Sequence, residues 1–164
     1  MLGTQAIFDT FCEQGGYKHL EVVILSNLKT YDEGLKSLCK YMETAKTIKE
    51  IELEINQITP VGCLYLGNAL SPRNMVPTTK LNLSYNKFGS EGVKNLAKGL
   101  AENGTLEHLV LNGCGIDYEG AFYLQEILSY HDSKIEHLSL INNQLKNEGV
   151  YQLFRALEAN EALS

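Results

Sequence analysis

The sequence contains five copies of one segment, and this repetition limits the possible folds more than any other feature. Counted from the first position of the pattern, the copies begin at residues 20, 48, 78, 106 and 135, so they are spaced by 28, 30, 28 and 29 residues. Fourteen residues after each start stands a glycine: Gly34, Gly62, Gly92, Gly120 and Gly149. Eighteen residues after each start stands a leucine: Leu38, Leu66, Leu96, Leu124 and Leu153. This regularity predicts a stack of similar structural units.

The apolar pattern changes its period halfway through each copy. In the third copy Leu81 and Leu83 alternate with polar residues, which is the two-residue period of a β-strand. Beyond the glycine, Val93, Leu96 and Leu100 recur at helical spacing and form one apolar stripe. A single copy cannot bury both its strand and its helix, whereas stacked copies can. We therefore predict an α/β fold with a layer of parallel strands and a layer of helices.

The pattern L-x-x-L-x-L-x-x-N-x-L, followed by a full helix, resembles the leucine-rich repeats of the ribonuclease-inhibitor type. The resemblance covers residues 17–164 and implies a horseshoe-shaped solenoid, with strands on its concave face and helices on its convex face. It also implies that the concave face binds protein partners. At the asparagine position it implies a ladder of buried side chains, here Asn56, Asn86, Cys114 and Asn143. Leu28 and Thr30 depart from the pattern, so the first repeat is degenerate.

We expect one repeat domain over residues 1–164. A partial repeat occupies residues 1–19, where residues 3–14 are predicted to form a helix with Ile7 and Phe11 at its apolar positions and Gly15-Gly16 at its end. A sixth repeat would start at residue 163. No polar cap is visible at this end, so we expect continuation of the chain, a partner or a second copy to cover it. The last repeat is predicted to expose five leucines: Leu138, Leu140, Leu145, Leu153 and Leu157.

Composition narrows the possible partners and the compartment. The net charge of −6 and the pI of about 5.2 argue against a nucleic-acid partner, and no apolar run reaches the length of a membrane span. The first residues lack the basic and apolar segments of a secretory signal. The four cysteines show no C-x-x-C spacing, which favours reduced structural thiols. We expect a cytoplasmic protein.

The sequence contains no recognisable catalytic arrangement. There is no phosphate-binding G-x-x-x-x-G-K-[ST] motif, and no serine or cysteine has an identifiable base at a fixed spacing. His108 and His137 occupy the same repeat position, each preceded by a glutamate, so they should be neighbours on adjacent strands. Two interpretations remain open for them: a metal pair or pH switch, and two solvated side chains duplicated with the repeat. We predict no catalytic residue, no cofactor and no metal site.

The outward side of the strands is the expected binding surface. Strand alternation places six carboxylates and two lysines there, which predicts a partner with a basic or mixed-charge surface. Tyr85, an exposed aromatic near the centre, is a candidate anchor, and Ser84 is also expected to face outward. The candidate partner-binding residues are Glu50, Glu52, Glu54, Lys80, Asn82, Tyr85, Glu107, His108, Asn112, Glu136 and His137.

Three functions are compatible with these observations. The first is a protein-interaction module without catalysis of its own. The second is GTPase activation, as in the Ran GTPase-activating protein, which has a similar architecture and uses an arginine; Arg73, in the proline-containing segment 71–77, and Arg155 are the available arginines. The third is a part of a longer repeat protein of the immune-receptor or cytoskeletal kind.

Overall fold

The structure is a computed structural model, and it describes residues 3–13 and 19–159. The strands are β1 (Val22–Ile24), β2 (Glu50–Glu52), β3 (Lys80–Asn82), β4 (His108–Val110) and β5 (His137–Ser139). The helices are α1 (Gly3–Glu13), α2 (Tyr31–Ala45), α3 (Pro60–Ala69), α4 (Gly89–Leu100), α5 (Tyr118–Leu128) and α6 (Lys146–Ala159), with a 3-10 helix at Pro72–Asn74. Strands and helices therefore alternate along the chain after α1.

The five strands form one parallel sheet in the order β1-β2-β3-β4-β5. The register pairs the same position of every repeat, so that Val22, Glu50, Lys80, His108 and His137 lie side by side. Each helix packs against the helix of the next repeat. The predicted α/β solenoid, with strands on the concave face and helices on the convex face, is confirmed.

The core lies between the sheet and the helices. The middle residue of each strand points into it: Val23, Ile51, Leu81 and Leu109 are buried and Leu138 is partly buried. The helix leucines meet them from the other side, and Leu38, Leu66, Leu96 and Leu124 are at most 1% exposed. Burial of a leucine side chain stabilises a fold by roughly 1.5–3 kcal/mol. The repetition of these positions therefore accounts for the stability of the stack.

Asparagine amides join three of the four successive pairs of repeats at their strand ends. Asn86 Oδ1 accepts the backbone N–H groups of Asn56 (2.8 Å) and Ile58 (3.0 Å), and its Nδ2 donates to the carbonyls of Leu53 and Leu83. Asn143 makes the equivalent contacts two repeats later. One repeat before Asn86, Asn56 accepts the N–H groups of Leu28 and Thr30 and donates to the carbonyls of Leu25 and Glu54. One side chain thus satisfies backbone groups that are shielded from water.

In the fourth repeat Cys114 takes the place of the asparagine, and the turn before it has a different shape. Its thiol makes weak contacts to the carbonyls of Leu83 and Asn112, but it has no oxygen to accept two N–H groups. In the turn of the third repeat, Phe88 N–H therefore donates to the carbonyl of Asn86 within the same turn, while Gly89 N–H donates to the carbonyl of Cys114, as Tyr31 N–H does to that of Asn56 in the first repeat. Gly89 is left-handed here (φ 61°), a conformation that glycine adopts without strain.

The turns that precede an asparagine repeat have a different shape. The residue between the two bonded N–H groups is left-handed in each of them: Lys29 (φ 54°), Gln57 (φ 57°) and Gly115 (φ 76°). The equivalent residue of the third repeat, Lys87, is not left-handed. A side chain in one repeat thus determines the backbone of its neighbour.

Polar pairs at the helix N-termini also connect repeats. Asp32 accepts the backbone N–H groups of Thr59 (2.9 Å) and Gly62 (3.1 Å) at the start of α3. Two repeats later the residue types are exchanged, since Asp117 caps α5 and Ser90 of the preceding repeat donates to it. These hydrogen bonds, led by that of Ser90, hold the pKa of Asp117 below its usual value. Such caps satisfy N–H groups that have no partner within the helix.

Several local predictions are wrong. Ile7 is 49% exposed, and Phe8 faces the core because it packs against the ring of Tyr41. Ser84 is buried, since its hydroxyl accepts the N–H of Asn112 in the adjacent repeat. The side chain of Phe11, residues Gly15-Gly16 and the expected start of a sixth repeat at residue 163 lie outside the described residues.

The C-terminal edge of the stack exposes apolar side chains, although not those that were predicted. Leu153 is buried and the other four leucines are partly buried, because α6 places Val150 and Phe154 around the same 310 Å³ hollow. Val150 and Phe154 are themselves 42% and 61% exposed. The equivalent residues of α2, α3 and α4 are buried beneath the next helix: Leu35 and Cys39, Cys63 and Gly67, Val93 and Ala97.

Replacing Asn86 by alanine should lower the free energy of unfolding by about 1–3 kcal/mol, because buried N–H and carbonyl groups lose their partners. Urea denaturation of the wild type and the variant measures the change. Asn147→Ala, an exposed substitution on α6, is the control. A loss of less than about 0.5 kcal/mol, which is usual for surface substitutions, would show that Asn86 does not have this role.

Asp117→Asn should lower stability at neutral pH, since the amide keeps the cap but loses the charge that the donors stabilise. The folded pKa lies below the unfolded value of about 3.9. The contribution of Asp117 is therefore fully present above pH 4–5 and is lost as the pH falls through the lowered folded pKa. Denaturation at a series of pH values should show the two proteins converging in acid. Glu126→Gln, on the exposed surface of α5, should show no such convergence.

Candidate protein-binding surface

The outward side of the sheet presents its residues in rows, because equivalent positions of neighbouring strands are paired. The first row is Val22, Glu50, Lys80, His108 and His137, and the second is Ile24, Glu52, Asn82, Val110 and Ser139. We call these rows, with the residues that flank the strands on the same side, the strand face. Adjacent strands are about 4.8 Å apart, so neighbours in a row can contact each other.

At the centre of the strand face, Glu52 is fixed by two neighbours. Lys80 Nζ lies 2.7 Å from Glu52 Oε1, and Asn82 Nδ2 donates to Glu52 Oε2 at 2.7 Å. Glu50 is more distant, at 4.0 Å from Lys80 Nζ. The hydrogen bond to Glu52 is the main cause that raises the pKa of Lys80 above its usual value. The central carboxylate is therefore already compensated, and it is a poor candidate for contact with a basic partner.

The remaining carboxylates carry the unbalanced charge of the strand face. Glu21 pairs with Lys49 at 3.0 Å. Lys49 and Lys80, the two lysines of the strand face, are therefore both engaged in ion pairs. Glu54, Glu107 and Glu136 form no ion pair with any residue that the structure describes. Glu107 and Glu136 precede neighbouring positions of β4 and β5, so their fields add within the Debye length of about 8 Å. Glu54 lies beyond the opposite end of β2 and contributes its charge there. The face remains acidic, mainly at its flanks.

His108 and His137 are neighbours, with ring centroids 5.6 Å apart and planes tilted by 38°. Both side chains are exposed. Glu107 and Glu136 precede them on the same two strands. No group of three or more histidine, cysteine, aspartate or glutamate side chains suited to a metal ion occurs in residues 3–13 and 19–159.

Asn82 and Asn112 are held within the sheet. Asn112 Oδ1 accepts the hydroxyl of Ser139 (2.7 Å) and the N–H of Ile141 (2.8 Å) in the next repeat. Asn82 Oδ1 accepts the N–H of Ser84 (3.0 Å). Contact with a partner would have to compete with these bonds, and we therefore regard both residues as structural supports of the face.

Tyr85 lies at the end of β3 and is 47% exposed. Three exposed apolar side chains of the first two repeats lie on the same face: Val22 (44% exposed), Ile24 (68%) and Ile55 (47%). The signal was present in the sequence, because Val22 and Ile24 occupy outward positions of a strand. Their exposure gives the N-terminal half of the strand face an apolar character beside its carboxylates.

The arginines lie on other surfaces. Arg73 is exposed in the 3-10 helix, where it lines a 660 Å³ groove with Lys94 and Lys98. Arg155 is exposed on α6. Lys94 lies over the ring of Tyr123, 5.8 Å from its centroid. No arginine therefore belongs to the strand face.

Three of the four cysteines, Cys39, Cys63 and Cys114, are not suited to act as nucleophiles. Cys39, Cys63 and Cys114 are free and buried. Burial raises the pKa of Cys114 to about 12 and raises that of the other two thiols as well. Protonated, enclosed thiols are unreactive. Within the residues that the structure describes, no helix has the length and apolar character needed to cross a membrane.

Together, the parallel sheet, the covering helices and the repeated register define a strand–helix solenoid, a class whose extended concave surface is used for binding. The leucine-rich repeat family model matches residues 79–97 and 102–124. The chain is a leucine-rich repeat protein of the ribonuclease-inhibitor-like type.

The relatives that this chain matches are much longer than the chain. Human NACHT, LRR and PYD domains-containing protein 13 is 34% identical over 148 residues, which are 89% of this chain and 14% of that protein. Mouse ribonuclease inhibitor is 28% identical over 141 residues, which are 85% of this chain and 30% of the inhibitor. The chain thus spans a small part of the relatives that it matches.

A solved structure of leiomodin-1 actin-binding site 2 has the same fold. The two superimpose with a TM-score of 0.66 at 16% identity, over 96% of this chain and 86% of that one. Sequence identity at this level shows shared architecture, and function must be argued from the surface itself.

Proposed function

We propose that this protein is a non-catalytic interaction module that binds another protein on its strand face. The observation that carries the proposal is the combination of unpaired carboxylates with exposed apolar side chains on one rigid sheet. Such a surface suits a partner with basic or mixed charge, since complementary charge speeds encounter while apolar anchors slow dissociation. Free, buried thiols support a cytoplasmic location, because reduced cysteines are typical of that compartment.

The domain organisation is part of the proposal. We regard residues 1–164 as one repeat domain, with a partial repeat before residue 20 and full repeats from residues 20, 48, 78, 106 and 135. Exposed Val150 and Phe154 support the idea that a further repeat, a partner or a second copy covers the C-terminal edge.

Reversal of Glu54, Glu107 and Glu136 to lysine should slow association with a basic partner about tenfold or more, with little change in dissociation or stability. These three carboxylates make no ion pair among the described residues, so the fold does not depend on them. Proteins captured from lysate and then purified are measured by surface plasmon resonance at low and moderate salt. Steered association weakens as salt increases.

The matched control reverses three exposed glutamates of the convex side, Glu91, Glu102 and Glu126. This variant has the same net charge as the strand-face variant. Equal loss of rate in both would assign the effect to net charge, and unchanged binding by the strand-face variant would place the binding site elsewhere.

The double substitution Val150→Asp and Phe154→Asp should abolish concentration-dependent self-association of the 164-residue chain, because it adds charge to the exposed C-terminal edge. Sedimentation velocity over a range of concentrations measures this. Phe122→Asp, at a residue of α5 that is 47% exposed, should behave as the wild type. A wild-type chain that is monomeric at all concentrations, with slow hydrogen exchange in β5, would contradict an open edge.

A further inference from the structure

One position of every repeat has a left-handed backbone. It follows the strand by three residues and is occupied by Asn27, Ile55, Tyr85, Gly113 and Asn142, with φ between 56° and 63°. We call this set the rim row, because it runs along the edge of the strand face. The row is continuous, since Ile55 N–H donates to Ser84 O (3.0 Å) and Tyr85 N–H to Asn112 O (2.7 Å).

The residue types of the rim row fall into two groups. Glycine and asparagine, at three of the five positions, tolerate left-handed backbone. Ile55 does not, because a β-branched side chain is strained there, and Tyr85 lacks the local hydrogen bonds of asparagine. Both side chains are 47% exposed, so about half of each apolar surface remains in contact with water. Packing of the buried half favours these residues, but it does not require an isoleucine and a tyrosine to leave the other half exposed at adjacent positions of the row.

The side chain of Tyr85 packs against the backbone of the next repeat at Gly113. A β-carbon at Gly113 would lie 2.6 Å from Cδ1 and 2.7 Å from Cε1 of the Tyr85 ring. The ring therefore lies across the glycine of the next repeat, and any larger residue there would displace it. Ile55 precedes it in the row. Backbone strain that persists at an exposed site is associated with function.

We propose, on the basis of the proposed function, that Ile55 and Tyr85 form an anchor for one aliphatic or aromatic side chain of a partner segment. The charged residues around the anchor indicate which residues of the partner segment flank its apolar side chain. Glu54 precedes Ile55 on the strand side and is unpaired within the described residues, whereas the exposed Lys29 and Lys87 follow the row on the loop side. The anchor therefore selects a segment in which the apolar residue has a lysine or arginine directed to the strands.

Measurements of thermal stability test whether the left-handed backbone at Ile55 and Tyr85 is strained. Ile55→Asn and Tyr85→Asn should each raise the thermal midpoint by about 2–4 °C, the shift that a small gain gives a chain of this size. Ile24→Asn makes the same change at an exposed strand residue without left-handed backbone and should give no gain. Lower midpoints for both rim-row variants would overturn the argument that these side chains are retained against backbone preference.

Binding is tested with a displayed library of random twelve-residue peptides selected on the 164-residue chain. Selected peptides should combine an aliphatic or aromatic residue with a neighbouring lysine or arginine, and Ile55→Asn or Tyr85→Asn should weaken them at least tenfold. Gly113→Asn should weaken them too, since it retains the left-handed preference but displaces the Tyr85 ring. Tyr31→Asn removes a tyrosine from another left-handed residue (φ 51°) and should bind as the wild type.

The outcomes separate the anchor from the proposed function. Peptides that lose binding with the strand-face reversal of Glu54, Glu107 and Glu136, but not with the rim-row variants, would overturn the anchor and leave the strand face as the site. Peptides insensitive to both sets would overturn both. Absence of any enrichment over an unrelated protein would also overturn the anchor.

Discussion

After β1, β2 and β4 the chain makes a turn whose backbone N–H groups point toward the next repeat and away from water. Asn56, Asn86 and Asn143 supply the acceptor, and the same side chains donate to carbonyls on both sides. Because an unpaired buried amide is costly, the position of each repeat is tied to that of its neighbour. The shape of these three turns follows from this contact. Between β3 and β4, where Cys114 takes the place of the asparagine, backbone hydrogen bonds keep the same register and the same rows.

Variation along the asparagine ladder shows that each ladder side chain affects the turn of the adjacent repeat. Cys114 cannot replace the asparagine oxygen, and in the turn before it Phe88 N–H donates to the carbonyl of Asn86 instead. The helices show a similar local adjustment, since a β-carbon on Gly99 would lie 1.6 Å from the carbonyl oxygen of Gly67. Helices α3 and α4 can approach this closely because neither residue has a side chain. Each pair of neighbouring repeats in the solenoid therefore packs through its own set of contacts.

The strand face and the core obey different constraints. Inside, residue types are limited by packing, and equivalent positions are nearly all aliphatic. Outside, the rows contain carboxylates, lysine, histidines and branched aliphatics in no repeating order. Some of these side chains compensate each other, as Glu52, Lys80 and Asn82 do. What remains available to a partner is the smaller set of unpaired carboxylates and exposed apolar residues that the proposals use.

The sequence by itself determined the repeat, the alternation of strand and helix and the core positions, because each depends on periodicity within one copy. It also placed Glu54, Glu107 and Tyr85 on the outward side, since strand alternation is a local rule. Contacts between repeats were decided by the tertiary structure alone. Lys80 pairs with Glu52, Ser84 is buried against Asn112, and the Tyr85 ring lies over Gly113, so each contact joins residues 28 positions apart. A periodic pattern does not specify which side chains meet across that distance.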